Sequence, residues 1–343
     1  MGKGKGAVGE HLERIPLATP VREWRRAANA ATVAALRLRG TPVDVVLGRN
    51  PLRYPKVFVV GCGRSGTSWV QSIVAQHPAV VTTQESHAYE VVFGNVARRG
   101  HRSLVAWTKV LHRHDLAARE ARWVGLHWWV TRDHLCRLIA AAMAVEGRPS
   151  DEVAEDVIEA IFDTYFFANG GGPDRVLLEK TPGHLAFADR ILRRYPEARV
   201  VEVLRDGRDV CVSMQMQALT LRWPPRRRED QIRAWVRAVR QGMALRADPA
   251  FAGRVHLVRY EDLKADPAAE IARLYAFLGF PTDAATAAEV ADRTDFRHHR
   301  HTGPGRHTRK GEVGDWRHHF SPADEALFRR LAGEVFEAAG YRW

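Results

Sequence analysis

The chain has 343 residues, 45% of them apolar, and a formal charge of +12 at neutral pH. Such a chain buries a sizeable core, which excludes a disordered protein; its charge points to anionic partners such as nucleotides, nucleic acid, acidic glycans or a membrane surface. Three scattered cysteines (Cys62, Cys136, Cys211) exclude a disulfide framework and a zinc site, and no apolar run reaches the roughly 18 residues of a membrane-spanning helix.

Residues 1–20 read as a basic arm. Pro20 to Arg39 is spaced for a helix with Val21, Trp24, Ala28, Val33, Leu36 and Leu38 on one face. Packing of that face on the domain edge is the stronger reading. Its cationic side (Arg22, Arg25, Arg26, Arg37) suits anionic lipid and leaves peripheral contact with the inner face of the membrane open. Without a myristoylation signal or a good signal peptide, the expectation is a cytoplasmic protein.

Val57 to Val60 reads as a strand buried on both faces, followed by a glycine-rich turn and a helix from Thr67 to His77. Strand, glycine loop and helix start together make an anion cradle, because the N–H groups of the first helical turn converge at the positive end of the dipole. Gly61 and Gly66 stand at Walker A spacing, and Ser68 falls where that motif has Ser or Thr. Its Lys position, however, is Thr67, and the nearest cation is Arg64, inside the loop.

Val80 to Thr83 reads as a short strand carrying Gln84-Glu85-Ser86-His87 to the C-terminal edge of a sheet, where ligands bind in open α/β folds. Residues 88–168 read as helical, with Trp123, Trp128 and Trp129 around His127. Core is the stronger reading for these rings, and an acceptor pocket the alternative. Strands follow at Val176–Glu179, Arg199–Leu204 and Val255–Val258, separated by helices at Phe187–Tyr195, through Met216 after the exit Arg205-Asp206-Gly207-Arg208-Asp209, and at 229–247. Helices at 267–278, 284–292 and Pro322–Ala339 complete the chain. Alternating strands and helices predict an α/β fold: a central parallel sheet flanked by helices on both faces, as in P-loop NTPases. The expected division is a basic arm and helix over 1–50, then one domain over 51–343, with 88–168 as a helical excursion on the acceptor side.

Five segments, in order, resemble the sulfotransferases that use 3′-phosphoadenosine-5′-phosphosulfate (PAPS). Gly63-Arg64-Ser65-Gly66-Thr67-Ser68-Trp69 is similar to the family's 5′-phosphosulfate loop, in which the Trp stacks on adenine. Arg205, with Ser213 eight residues on, resembles the 3′-phosphate site; a guanidinium forking onto phosphate oxygens beside a helical hydroxyl makes physical sense of the pair. Arg309-Lys310-Gly311, leading to Gly314-Asp315-Trp316-Arg317, resembles the C-terminal motif that closes over the cofactor. Tyr260-Glu261-Asp262 resembles a motif whose Tyr reaches the nucleotide. Finally, His77-Pro78 followed by Gln84-Glu85, with Lys180 before Thr181-Pro182, is similar to the tyrosylprotein sulfotransferases.

The resemblance implies Glu85 as general base, with His87 and His127 in reserve because another branch of the family uses His. It implies Lys180 and Arg64 as stabilisers of the transferring group, PAPS as cofactor with PAP as its product, and no metal. The acceptor would bear a hydroxyl on a carbohydrate, glycolipid or small natural product, with a peptide tyrosine the weaker option. Two rivals stay in view. A nucleotide kinase or NTPase would need Lys at position 67 and an acidic Mg²⁺ partner. A nucleic-acid binder would draw on the +12 charge and Arg226-Arg227-Arg228, but no nucleic-acid module is recognisable and none is expected as partner. The sequence gives no oligomeric state.

Overall fold

The computed structural model describes residues 54–94, 104–119, 125–144, 150–219, 221, 223–295 and 311–343. The arm and helix expected over 1–50 lie outside the described residues, as do Arg309 and Lys310. The strands are β1 (Lys56–Gly61), β2 (Val80–Thr82), β3 (Val176–Lys180), β4 (Arg199–Leu204) and β5 (Val255–Arg259). They form one five-stranded parallel sheet in the order β2-β3-β1-β4-β5. β1 is buried along its whole length, as its run of β-branched residues requires of a central strand. It pairs in parallel with β4, Val59 opposite Val201, and β4 pairs in parallel with β5, Val203 opposite Val258.

In this order the connection leaving β1 runs toward one edge and that leaving β4 toward the other. The strand order therefore reverses between β1 and β4, where open α/β sheets leave a crevice at their C-terminal ends. The two segments that emerge there are Gly61–Gly66 and Arg205–Asp206.

The chain divides into two compact units: Pro55–Val80 with Leu178–Trp343, and a second whose described part is Tyr54 with Val81–Leu177. The first contains α1 (Thr67–Val74), α5 (Ala188–Arg194), α6 (Gly207–Gln217), α7 (Arg228–Ala247), α8 (Tyr260–Ala265), α9 (Pro267–Leu278), α10 (Ala284–Arg293) and α11 (Pro322–Ala338). Its core joins Leu204, Val210 and Cys211 to Trp235 of α7 and to Phe328 and Phe336 of α11, all buried. The run expected as a helix from Phe187 starts earlier, as a 3₁₀ turn over Pro182–Phe187 that passes into α5. Pro182 suits that first turn because it has no N–H to leave unpaired there.

The second unit contains α2 (Leu104–Arg119), α3 (Arg132–Ala144) and α4 (Ser150–Ala168). Of the tryptophans read as core or pocket, Trp129 is buried, its indole N–H donating to the Gln84 carbonyl at 2.8 Å, whereas Trp128 is 41% exposed. Trp123 lies outside the described residues. Tyr165 of α4 donates its hydroxyl to the Thr82 carbonyl at 2.8 Å, so the exit of β2 is tied to the helices of its own unit. Among the described residues no helix is long and apolar enough to cross a membrane.

Candidate active site

Backbone sterics set the shape of the loop after β1. A Cβ on Gly61 would stand 2.5 Å from the Val203 carbonyl oxygen, and one on Gly66, at φ 105°, would stand 2.5 Å from the Tyr260 ring. Only glycine fits either place. Arg64 holds φ 77° without being glycine, a strained conformation of the kind that collects at functional loops. The Ser65 N–H closes the turn onto the Cys62 carbonyl at 3.1 Å. α1 then starts with Gly66 as its N-cap, and no side chain caps its first turn. Ser65 itself is buried, and its Oγ has no hydrogen-bond partner among the described residues.

Several of the sequence-predicted residues meet around this loop. Arg64 Nε donates to Ser213 Oγ of α6 at 3.1 Å, and Lys180 Nζ, buried at the end of β3, donates to Ser68 Oγ at 3.1 Å. Trp69 is buried with its ring edge-on to Tyr260 at 5.5 Å, and its indole N–H donates to the Thr294 carbonyl at 2.8 Å. The ring of Tyr260, the first residue of α8, lies under Gly66 and beneath the Arg205 guanidinium, 4.2 Å from its centroid. Burial keeps the Tyr260 phenol protonated, and it donates to the Gly311 carbonyl at 2.8 Å. Tyr260 thus touches the loop, the β4 exit and the C-terminal segment together.

Arg205 is buried at the end of β4. One of its terminal nitrogens donates to the Glu312 carbonyl at 2.7 Å and stands 3.8 Å from the Asp209 carboxylate. Its Nε has no partner among the described residues. A buried donor left unmade costs about 1–3 kcal/mol, so Ser65 Oγ and Arg205 Nε need a reason, and an anion would supply one.

Sequence reading missed the supports of this site. Asp206 caps α6 by accepting the Arg208 N–H at 2.8 Å. Asp209 accepts the Gly314 and Trp316 N–H groups at 2.8 and 2.9 Å. Beside Lys180, Glu179 accepts from Thr181 Oγ1 at 2.6 Å and from His184 Nδ1 at 2.9 Å, with all three side chains buried. The one signal that could have pointed to Asp209 is its i,i+4 spacing from Arg205.

Glu85 belongs to the second unit. Its Oε2 stands 3.1 Å from His87 Nε2, while His87 Nδ1 meets Glu90 Oε2 at 2.5 Å. Burial opposes charge on His87, but the hydrogen bonds to Glu85 and Glu90 outweigh it and push the imidazole up to about 10. At neutral pH His87 is therefore an imidazolium between two carboxylates. It holds φ 52°, and the Glu85 carbonyl accepts the Gly125 N–H at 2.6 Å, so this corner is fixed from two sides. His127, the other reserve base, lies against Trp128, ring centroids 5.6 Å apart.

A family model described as "Sulfotransferase family" matches residues 55–284. Among solved structures, the sulfotransferase domain of the Synechococcus PCC 7002 olefin synthase is similar, at 19% identity over 86% of this chain and 97% of that one, with a TM-score of 0.50. A sulfotransferase of Mycobacterium tuberculosis H37Rv is 18% identical over 91% of this chain and 84% of its own, TM-score 0.48. A mouse sulfotransferase complexed with PAP is 15% identical over 86% and 88%, TM-score 0.46.

Proposed function

The chain belongs to the sulfotransferase family, and on that footing we propose that it moves the sulfuryl group of PAPS to a hydroxyl of a carbohydrate, glycolipid or small natural product, with Glu85 as base. What carries the reading is the convergence of Arg64, Lys180, Arg205, Ser213 and Tyr260 about an uncapped helix start, where Ser65 Oγ and Arg205 Nε lack partners among the described residues. Buried donors of this kind suit a nucleotide with anionic groups at both ends.

In this account Arg205 and Ser213 hold the 3′-phosphate, while Arg64 and the loop amides hold the 5′-phosphosulfate. Trp69 and Tyr260 flank the adenine side, and Gly311, with Arg309 and Lys310 before it, belongs to the closing segment. PAPS, when bound, supplies an activated sulfuryl group on a good leaving phosphate. The rest is side-chain work. Lys180 and Arg64 neutralise charge that develops on the sulfuryl and departing oxygens. Glu85 accepts the proton of the acceptor hydroxyl, and His87, already protonated, orients that carboxylate rather than serving as base. At Ser68, where a nucleotide kinase holds Mg²⁺ through the hydroxyl, the Lys180 ammonium arrives instead.

The test is transfer of label from sulfur-labelled PAPS to a panel of hydroxyl acceptors by wild type and Glu85→Gln. Transfer by the wild type that drops about 10²- to 10⁴-fold in Glu85→Gln, with binding of PAP unchanged, is the expected result. Full turnover by Glu85→Gln would remove Glu85 from the mechanism.

A further inference from the structure

The Asp209 carboxylate has no assigned role, yet it is the most committed charge near Arg205. It is buried, on the first turn of α6, and spends both oxygens on backbone: Oδ2 on the Gly314 N–H and Oδ1 on the Trp316 N–H. Burial pushes its carboxyl up against the opposing pull of Arg205 and of those two N–H groups. Desolvating a carboxylate is costly unless its hydrogen bonds are well made, so such a group is kept where it fixes something. What it fixes is the segment Gly311–Trp316, whose Glu312 carbonyl in turn accepts from Arg205 and whose Gly311 carbonyl accepts from Tyr260. A closed circuit results: Arg205 to Glu312, along the backbone to Gly314 and Trp316, to Asp209, and back to Arg205 at 3.8 Å.

We infer that Asp209 is a positioning residue for recognition of the nucleotide's 3′-phosphate: by tying Gly314 and Trp316 to α6 it holds the Glu312 carbonyl that aims the Arg205 guanidinium. The inference rests on the reading of Arg205 as the 3′-phosphate ligand. Arg205 aimed in advance loses less side-chain freedom when phosphate binds, a saving equivalent to about threefold to tenfold in affinity. The same circuit makes the placement of Gly311–Trp316 and binding of the 3′-phosphate mutually supportive, because both use Arg205 in one orientation.

Coulomb's law alone predicts the opposite sign. Removing a carboxylate beside a phosphate site would tighten binding of the phosphate. Calorimetry of wild type and Asp209→Asn with two probes, PAP and adenosine 5′-monophosphate, separates these accounts. The 3′-phosphate distinguishes the probes, so a general structural defect would weaken both alike. The expected result is that Asp209→Asn loses about threefold to tenfold in affinity for PAP and keeps its affinity for adenosine 5′-monophosphate. Equal loss for both probes, unchanged PAP affinity, or tighter PAP binding would each overturn the inference. A wild type that fails to prefer PAP would instead sink the underlying assignment of Arg205, so the two failures are distinguishable. Should Asp209→Asn not fold, amide hydrogen exchange on wild type decides: PAP should slow exchange at Gly314 and Trp316 where adenosine 5′-monophosphate does not, and equal slowing by both would contradict the coupling.

Discussion

Glu85 and His87 sit two residues apart and, in the proposed mechanism, take different roles. An imidazole pushed up to about 10 by two carboxylates is charged at every physiological pH and cannot take a proton from an acceptor. Its raised value also gives a stability signature. Unfolded, the ring titrates near its usual pKa of about 6.5; folded, it titrates about 10. The stabilisation is therefore fully present below about pH 6.5 and is lost as the pH rises through about 10. We expect the difference in Tm between wild type and His87→Gln to be larger near pH 6 than near pH 10.5, measured by circular dichroism. A difference independent of pH would contradict the two ion pairs. The sequence singles out Glu85 only through its offset from His77-Pro78, a resemblance, and its role as base is a proposal. Glu90 and the left-handed backbone of His87 were not legible there, since neither belongs to a motif and the pair, though only three residues apart, meets through that unusual turn of backbone.

At the scale of elements, the junction of β4 and α6 carries most of the argument. Here Arg205 follows Leu204, the last residue of the strand, Asp206 caps the helix, and Gly207 begins it. The Trp235 indole N–H donates to the Arg205 carbonyl at 3.0 Å, so α7 holds the strand exit directly. That approach needs Gly207 bare: a Cβ there would stand 2.6 Å from the Trp235 ring and 2.8 Å from Phe328. Gly207→Ala should lower unfolding stability by about 1–3 kcal/mol, through overpacking and loss of the Trp235 hydrogen bond, read by urea denaturation. Unchanged stability would mean that the ring relaxes away without cost. The Arg205 and Ser213 spacing was legible because it lies within one strand-to-helix turn. The role of Trp316 was not: it stacks on the Arg208 guanidinium at 4.0 Å, which itself folds back on Asp206. A contact between residues so far apart in sequence leaves no local period to read. The 3₁₀ helix at Pro182–Phe187 was missed for a related reason, since six residues are too few to show a helical period.

At the scale of the molecule, strand order accounts for how separate segments act together. β1 and β4 are neighbours whose following connections diverge, and the loop and Arg205 emerge into the crevice between them. The sequence showed each β–α turn, because strands of β-branched residues and glycine-rich exits are local patterns. It could not show which strands are neighbours, and hence that Arg64 reaches Ser213 across 149 positions of chain. The charge of +12 suggests a class of anionic partners but not a site. The central claim is that this crevice binds an adenosine bearing a 3′-phosphate, without a metal. Calorimetric titration with PAP, beside ATP–Mg²⁺, for wild type and Arg205→Ala addresses it directly. The account predicts metal-independent binding of PAP that Arg205→Ala weakens roughly 10- to 100-fold. Indifference to PAP, or a preference for ATP–Mg²⁺ that Arg205→Ala leaves intact, would contradict it.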